Sequence, residues 1–357
     1  MIKFKLVIVR CMLTRVSEEL IEELKPIKMK DLLNDKYLKK LHRILEGVDY
    51  SYDIPDISYK KGVYPRNPFI SEKLYNKTIE YQNITSLNWT LNNRYKVSCS
   101  LNIYSRDQCE LNTERINLLV YAISFINSLS LKDRCVKIHL VFLPDKKRYT
   151  GKLGRNEINS GSSRIGDHVE ICIWRLEECL KVLFHECVHG LEFAHIGDSD
   201  EIIDKYARLY HSNSGSILIE ESFTEFWAKL LNSYFIAKIT SLMDANTDSY
   251  RLFCFFLGVE REFCLRQSYK IYNHLKDRDT GDRVVDSCIA YYIGTAEIFN
   301  NLSKFLSCYD GKNFFDPLDP ILFTKLLLSF KKNPIRKLNE KSKSYATLKM
   351  SAVEFKI

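Results

Sequence analysis

The chain has no C-x-x-C pair, and its 11 cysteines in 357 residues are an odd number. Both facts speak against a disulfide framework. Several cysteines (Cys172, Cys179, Cys187, Cys254) fall inside apolar periodic segments, as reduced buried thiols do, so a reducing compartment is expected. Long apolar runs are also missing: the stretch Leu6 to Val9 is cut by Arg10, too brief for a signal-peptide core or a membrane span. There is no internal repeat and no low-complexity segment. With 45% hydrophobic and 27% charged residues, the composition excludes the disordered and collagen-like classes. A length of 357 residues suffices for one large domain or two modest ones, either with a substantial core.

The formal net charge is +8. Part of the excess sits at the end of the chain, where Lys331, Lys332, Arg336, Lys337, Lys341, Lys343, Lys349 and Lys356 outnumber Glu340 and Glu354. This reads as a solvated basic tail, 331–357, and not as a nucleic-acid surface. Glycosylation-type triplets at Asn76, Asn83, Asn88 and Asn301 carry little weight in an Asn- and Ser-rich chain, so an intracellular location without a signal peptide is expected.

Residues 1–108 form an N-terminal mixed region: a charged helical stretch at Ser17 to Leu45, then a Tyr-, Asn- and Pro-rich passage of weak periodicity through Trp89. Lys96 to Tyr104 alternates apolar and polar residues, the period of a half-buried strand. From Leu111 to Leu129 apolar residues recur every three or four positions, as on a helix with one apolar face. Val136 to Leu143 and His168 to Trp174 are strand-like, and Lys146 to Ile158 looks like a hairpin. Further helices are expected at Ile217 to Ile239, Tyr250 to Lys276, Arg283 to Leu306 and Pro320 to Lys331. The fold class is therefore α+β, with a small mixed sheet and a mainly helical C-terminal half.

Within Leu176 to Leu191 the residues Leu176, Leu180, Leu183, Cys187 and Leu191 mark the core side of a helix. His185 and His189 lie four apart, about 40° around that helix, so both imidazoles can reach one ion. The run His185, Glu186, Cys187, Val188, His189 is the H-E-x-x-H pattern: two neutral imidazole ligands, and a carboxylate placed to take a proton from the attacking water. A catalytic site needs a third protein ligand and an open fourth position. Glu221, at the start of a helix 32 positions after His189, is one candidate, with Glu225 a turn further on suited to orienting a ligand histidine. His195, six positions after His189, is the other. It matches the spacing H-E-x-x-H-x-x-G-x-x-H, but Glu192 stands where that pattern has glycine. A left-handed turn there would carry a side chain at a cost of about 1 kcal/mol or more, which favours Glu221. Met243 as a Met-turn residue is weaker than its reading as packing.

The helix at Leu111 to Leu129, the strands, the H-E-x-x-H helix and the glutamate helix resemble the minimal core of a gluzincin, a zincin-like peptidase fold over residues 109–330. More narrowly, Asn159 to Gly161, Val169 to Glu178, Lys181, Val182, His185, Glu186, His189 and Glu221 to Ala228 resemble metallopeptidases encoded by large DNA viruses of eukaryotes. The resemblance implies one Zn2+ ion, Glu221 as third ligand, a protein or peptide substrate, and a place in the host cytoplasm or in the virion. It leaves the substrate and the oligomeric state open. A non-catalytic zinc-stabilised interaction protein or virion-associated protein is the alternative.

Other polar residues could contact substrate. Asn159, just before the strand beside the motif helix, could fix a substrate backbone, and a plain turn residue is equally compatible. Tyr210, Tyr291 or Tyr292 could donate to an oxyanion, though any of 21 tyrosines can be a core residue.

Overall fold

In the computed structural model the described residues are 12–25, 27–53, 55–107, 112–151, 153–192, 198–210, 217–244, 246–276, 287–330 and 338–357. The chain divides into two compact units. One comprises Met1–Glu46, Arg148–Gly154 and Ala194–Lys356, and the other Gly47–Lys147, Arg155–Phe193 and Ile357. These units run differently from a division at 108 and 330, because strands on either side of residue 108 share one sheet.

That sheet, in the second unit, has six strands: β1 (Asp56–Lys61), β2 (Asn83–Asn92), β3 (Lys96–Ser105), β4 (Arg134–Leu143), β5 (Gly161–Arg164) and β6 (His168–Arg175), in the order β1-β2-β3-β4-β6-β5. The three central strands β3, β4 and β6 are parallel, and β1, β2 and β5 join antiparallel. Crossover helices are what parallel neighbours require. The helix Thr113–Asn127 supplies the one between β3 and β4, its N-terminus capped by the Asn112 side chain on the Arg115 N–H.

In β4 the buried Val136 and Ile138 alternate with the exposed Cys135 and Lys137, and from Ile138 to Val141 both faces are buried. β2 has no such alternation. Ile84, Thr85, Ser86 and Leu87 are all buried, because Ile84 belongs to a cluster with Tyr64, Tyr104, Val141, Leu143 and Trp174, while the Trp89 indole N–H, two residues beyond Leu87, reaches Ser124 of the crossover helix. The expected hairpin at Lys146 to Ile158 is absent among its described residues. Arg148 instead makes an isolated bridge with Thr347, Arg155–Ile158 is a single helical turn, and the antiparallel partner of β6 is β5, further along.

The first unit is helical. Its centre is the helix Glu220–Met243, buried on nearly every side, as a helix apolar all round must be. Phe226 and Trp227 of that helix stand among Phe299, Phe305, Tyr309 and Phe315, with the Phe226 and Phe305 ring centroids 4.8 Å apart. The helix Ser249–Lys276 and the π-helical turn Ile289–Gly294 pack beside it. No described helix is long and apolar enough to cross a membrane.

The end of the chain is not the solvated tail expected from its charge. Leu348, Lys349, Met350, Ser351, Ala352, Val353 and Phe355 are all buried. The cause is the carboxylate of Glu260, itself fully buried, which accepts from the Ser351 hydroxyl at 2.6 Å and from the Ala352 and Val353 N–H groups at 3.0 and 2.9 Å. The Lys349 ammonium is matched by Glu354 at 2.5 Å. Residues 331–337 of the expected tail lie outside the described residues.

Candidate metal centre

β6 leads straight into the motif helix Cys179–Leu191, whose two ends share an uncommon feature. Glu178 at its start and Glu192 at its end are the non-glycine residues described in the left-handed region, with φ of 61° and 58°. A side chain in that region costs about 1 kcal/mol or more, so both need an anchor. The buried Glu178 carboxylate is 3.0 Å from the buried ammonium of Lys147. Glu192 is held by Arg134 at 2.6 Å and Lys132 at 3.0 Å, and the Arg134 hydrogen bond holds its carboxyl below the usual glutamate range. The left-handed turn that counted against the His195 pattern is thus made without glycine. The missing glycine therefore does not decide the third ligand, and His195 itself lies outside the described residues.

Within the helix, the imidazoles of His185 and His189 face each other with ring centroids 5.0 Å apart and planes inclined at 75°. His185 and Glu186 are buried and His189 is half-buried. The helix lies tight on β6 because Gly190 has no side chain: a Cβ there would stand 2.5 Å from Val169 Cγ1. The same holds at β5, where a Cβ on Gly161 would meet Val182 Cγ1 at 2.6 Å and Glu186 Oε1 at 2.7 Å. Gly161 thus admits the Glu186 carboxylate to the edge of the sheet, a role that sequence reasoning missed although it marked the Asn159 to Gly161 run. Asn159 is half-buried. Its carbonyl accepts from Arg175 Nε at 3.2 Å, which ties the start of β5 to the end of β6.

Glu221 occupies the first turn of the central helix and is half-buried. Its neighbour Glu220 donates its N–H to Asp198 Oδ1 at 2.8 Å. Burial, then the adjacent charge of Glu220 and more weakly Glu221, pushes the Asp198 carboxyl up to about 7. Asp198 carried no sequence motif and was not singled out. Glu225, a turn after Glu221, is fully buried, with Lys229 3.5 Å away.

The imidazole nitrogens of His185 and His189 and the carboxylate of Glu221 all lie within 4.8 Å of one another. Two imidazoles and one carboxylate are a donor set suited to zinc with a position left for a small ligand. The group could hold a divalent metal ion.

The candidate tyrosines all belong to the helical unit. Tyr292 is buried and donates to the Leu348 carbonyl at 2.6 Å, fastening the C-terminal segment. Tyr210 donates to Glu297 at 3.2 Å, a carboxylate it shares with Tyr206. Tyr291 is half-buried on the π-helical turn. Met243 ends the central helix and is 67% exposed, so it is not a packing residue.

A cavity of about 800 Å³ opens on the face of the sheet opposite the motif helix. One cross-strand row spans it: Asp56, Asn88, Ser100, Lys137, Glu170 and Arg164, each directly opposite the next. The metal-ligand group does not line it. The local chemistry of His185, Glu186, His189 and Glu221 carries more weight than the size of this groove.

No family model matches the chain, and neither a curated protein nor a solved structure matches it.

Proposed function

We propose that the chain is a zinc-dependent metallopeptidase of the gluzincin type, with His185, His189 and Glu221 as metal ligands and Glu186 as general base. The observation that carries this reading is the grouping of the three ligand atoms within 4.8 Å. Glu186 supports it, coming one residue after the first ligand, with its carboxylate against Gly161.

When bound, zinc supplies Lewis acidity towards a carbonyl oxygen and towards a water. The Glu186 carboxylate then takes a proton from the attacking water and delivers it to the leaving amine. Burial of Glu186 keeps that carboxylate poorly solvated and within reach of β5. β5 is an edge strand, and the bond from the Trp174 N–H to the Ser160 carbonyl fixes which of its groups face outwards. Residue 160 turns towards β6, so the backbone groups of Gly161 and Ser163 turn to the free edge. An extended peptide added there would hydrogen-bond to Gly161 and run past Glu186. This favours a protein or peptide substrate.

The test is zinc content and peptide hydrolysis of the purified chain beside Glu186→Gln. Retained zinc with hydrolysis lowered by about 100-fold or more supports the assignment. Equal activity removes Glu186 from the mechanism. Stoichiometric zinc with no turnover on a broad peptide library by the unaltered chain would favour a non-catalytic zinc-stabilised interaction protein.

A further inference from the structure

At the other edge of the sheet, β1 is bare. All six of its residues are exposed, Ile57 at 52% and Tyr59 at 64%, and among the described residues β2 is its only strand neighbour. An uncovered edge strand is a template for another strand. Its sequence, Asp-Ile-Ser-Tyr-Lys-Lys, decides which one.

The Gly62 N–H donates to the Gln82 carbonyl at 3.0 Å, in the same register that pairs Lys61 with Asn83. Antiparallel pairs alternate between hydrogen-bonded and non-hydrogen-bonded. Residues 56, 58, 60 and 62 therefore spend their backbone groups on β2, and those of Ile57, Tyr59 and Lys61 point to the free edge. The side chains divide the same way. Asp56, Ser58 and Lys60 share the face of Asn88, Ser86 and Ile84, and Ile57 and Tyr59 share the face of the buried Leu87 and Thr85.

A continuous sheet requires residues of like face to stand opposite one another. A second copy of β1 meets this in antiparallel register about Ser58. Asp56 then faces the partner's Lys60, Ile57 faces the partner's Tyr59, and Ser58 faces the partner's Ser58. Every pair is complementary: an acid with a base, an aliphatic with an aromatic ring, a hydroxyl with a hydroxyl. Sliding by two residues places Ile57 against Lys61 and loses this. In the same register the two Ile57–Tyr59 pairs become hydrogen-bonded pairs and exchange four N–H to carbonyl bonds. Neither Asp56 nor Lys60 forms an ion pair with a described residue, so both charges are available.

We propose that β1 is a self-complementary edge through which two copies of this chain join their sheets about a two-fold axis at Ser58. The pairing is isologous and closes on itself, so it ends at a dimer and not at a fibre. One strand pair is a small interface, so the association is reversible and concentration-dependent.

Sedimentation velocity of the full chain over a range of concentrations tests this, with Tyr59→Pro as the first variant. Proline at 59 removes an N–H that β2 does not use, so the β1–β2 ladder is kept while strand addition is blocked. Its dimer dissociation constant is expected to rise on the order of tenfold or more, with unchanged circular dichroism. Asp56→Lys and Lys60→Asp address the register. Each alone is expected to be monomeric, and an equimolar mixture of the two is expected to form a heterodimer, since every 56–60 contact is then attractive. A monomeric unaltered chain at all concentrations overturns the proposal. So does a dimer indifferent to Tyr59→Pro, or a mixture that stays monomeric.

Discussion

Arg134 on β4 clasps the end of the motif helix. One guanidinium nitrogen donates to the Gly190 carbonyl at 2.8 Å, and the other to the Leu191 carbonyl at 3.1 Å and to the Glu192 carboxylate at 2.6 Å. The last carbonyls of a helix have no partner within it, and here a buried cation satisfies them from the sheet. The His189-bearing turn is therefore fixed to the strand on which the helix rests.

Arg134→Met is expected to destabilise the fold by roughly 3 kcal/mol, because it removes the donor to the Gly166, Gly190 and Leu191 carbonyls and leaves Glu192 to Lys132 alone. Glu192→Gly should cost less: it gives up the ion pairs but also removes the left-handed cost of about 1 kcal/mol. Urea denaturation of both variants checks the order. A loss for Glu192→Gly as large as that for Arg134→Met would show that the carboxylate, and not the helix carbonyls, is what Arg134 serves.

Gly161→Ala places a methyl group where Val182 and the Glu186 carboxylate now stand. Contacts of 2.6 and 2.7 Å force Glu186 away from β5, and a displacement near 1 Å at a reacting group costs on the order of 100-fold in rate. The expected result is a lower kcat with zinc content unchanged, since neither histidine is touched. Lost zinc would mean that Gly161 supports the ligands instead.

These relationships were unequally legible in the amino-acid order. The strands at 134–143 and 168–175, the motif helix and the central helix were readable, because each shows one period to one environment. β2 was not: Thr85 and Ser86 are buried beside Ile84 and Leu87, so the alternation that marks a half-buried strand is missing. The C-terminal segment misled for another reason. Lys349 looks like a solvated charge until Glu354 and the Glu260 cradle bring its surroundings into place, and those contacts span up to 93 residues. At the candidate metal centre, the adjacency of His185 and His189 follows from helical spacing alone. The left-handed Glu178 and Glu192 depend on Lys147 and Arg134, 31 and 58 residues away, which no local pattern announces.

Lys270 offers a titration test in the helical unit. It is buried, its ammonium reaches the carbonyls of Ser344, Tyr345 and Thr347, and burial pushes its pKa down to about 7. A lysine lowered on folding is protonated in the unfolded chain between about 7 and its ordinary 10.5 but not in the folded one. Unfolding therefore takes up a proton in that window, and this group's contribution to stability rises with pH across it. The buried thiols, raised on folding, act in the opposite sense above their ordinary range. The comparison with Lys270→Met isolates the lysine: the stability of the unaltered chain relative to the variant should climb from pH 7 to pH 10. A difference independent of pH would mean that the three carbonyls keep the ammonium charged throughout.

Metal binding can be read without any substrate. A ligand that binds only the folded chain stabilises it by RT ln(1 + [L]/Kd), about 2.7 kcal/mol when free metal is about 100 times Kd. Zinc should therefore raise the unfolding temperature of the unaltered chain by several degrees, and a chelator should reverse it. Glu221→Ala should keep the fold and lose most of the shift, whereas Glu186→Gln should keep the shift, since Glu186 is assigned to proton transfer and not to the metal. The pair separates the two glutamates by role. A shift intact in Glu221→Ala would remove that residue from the ligand set, and would return attention to the histidine six positions after His189.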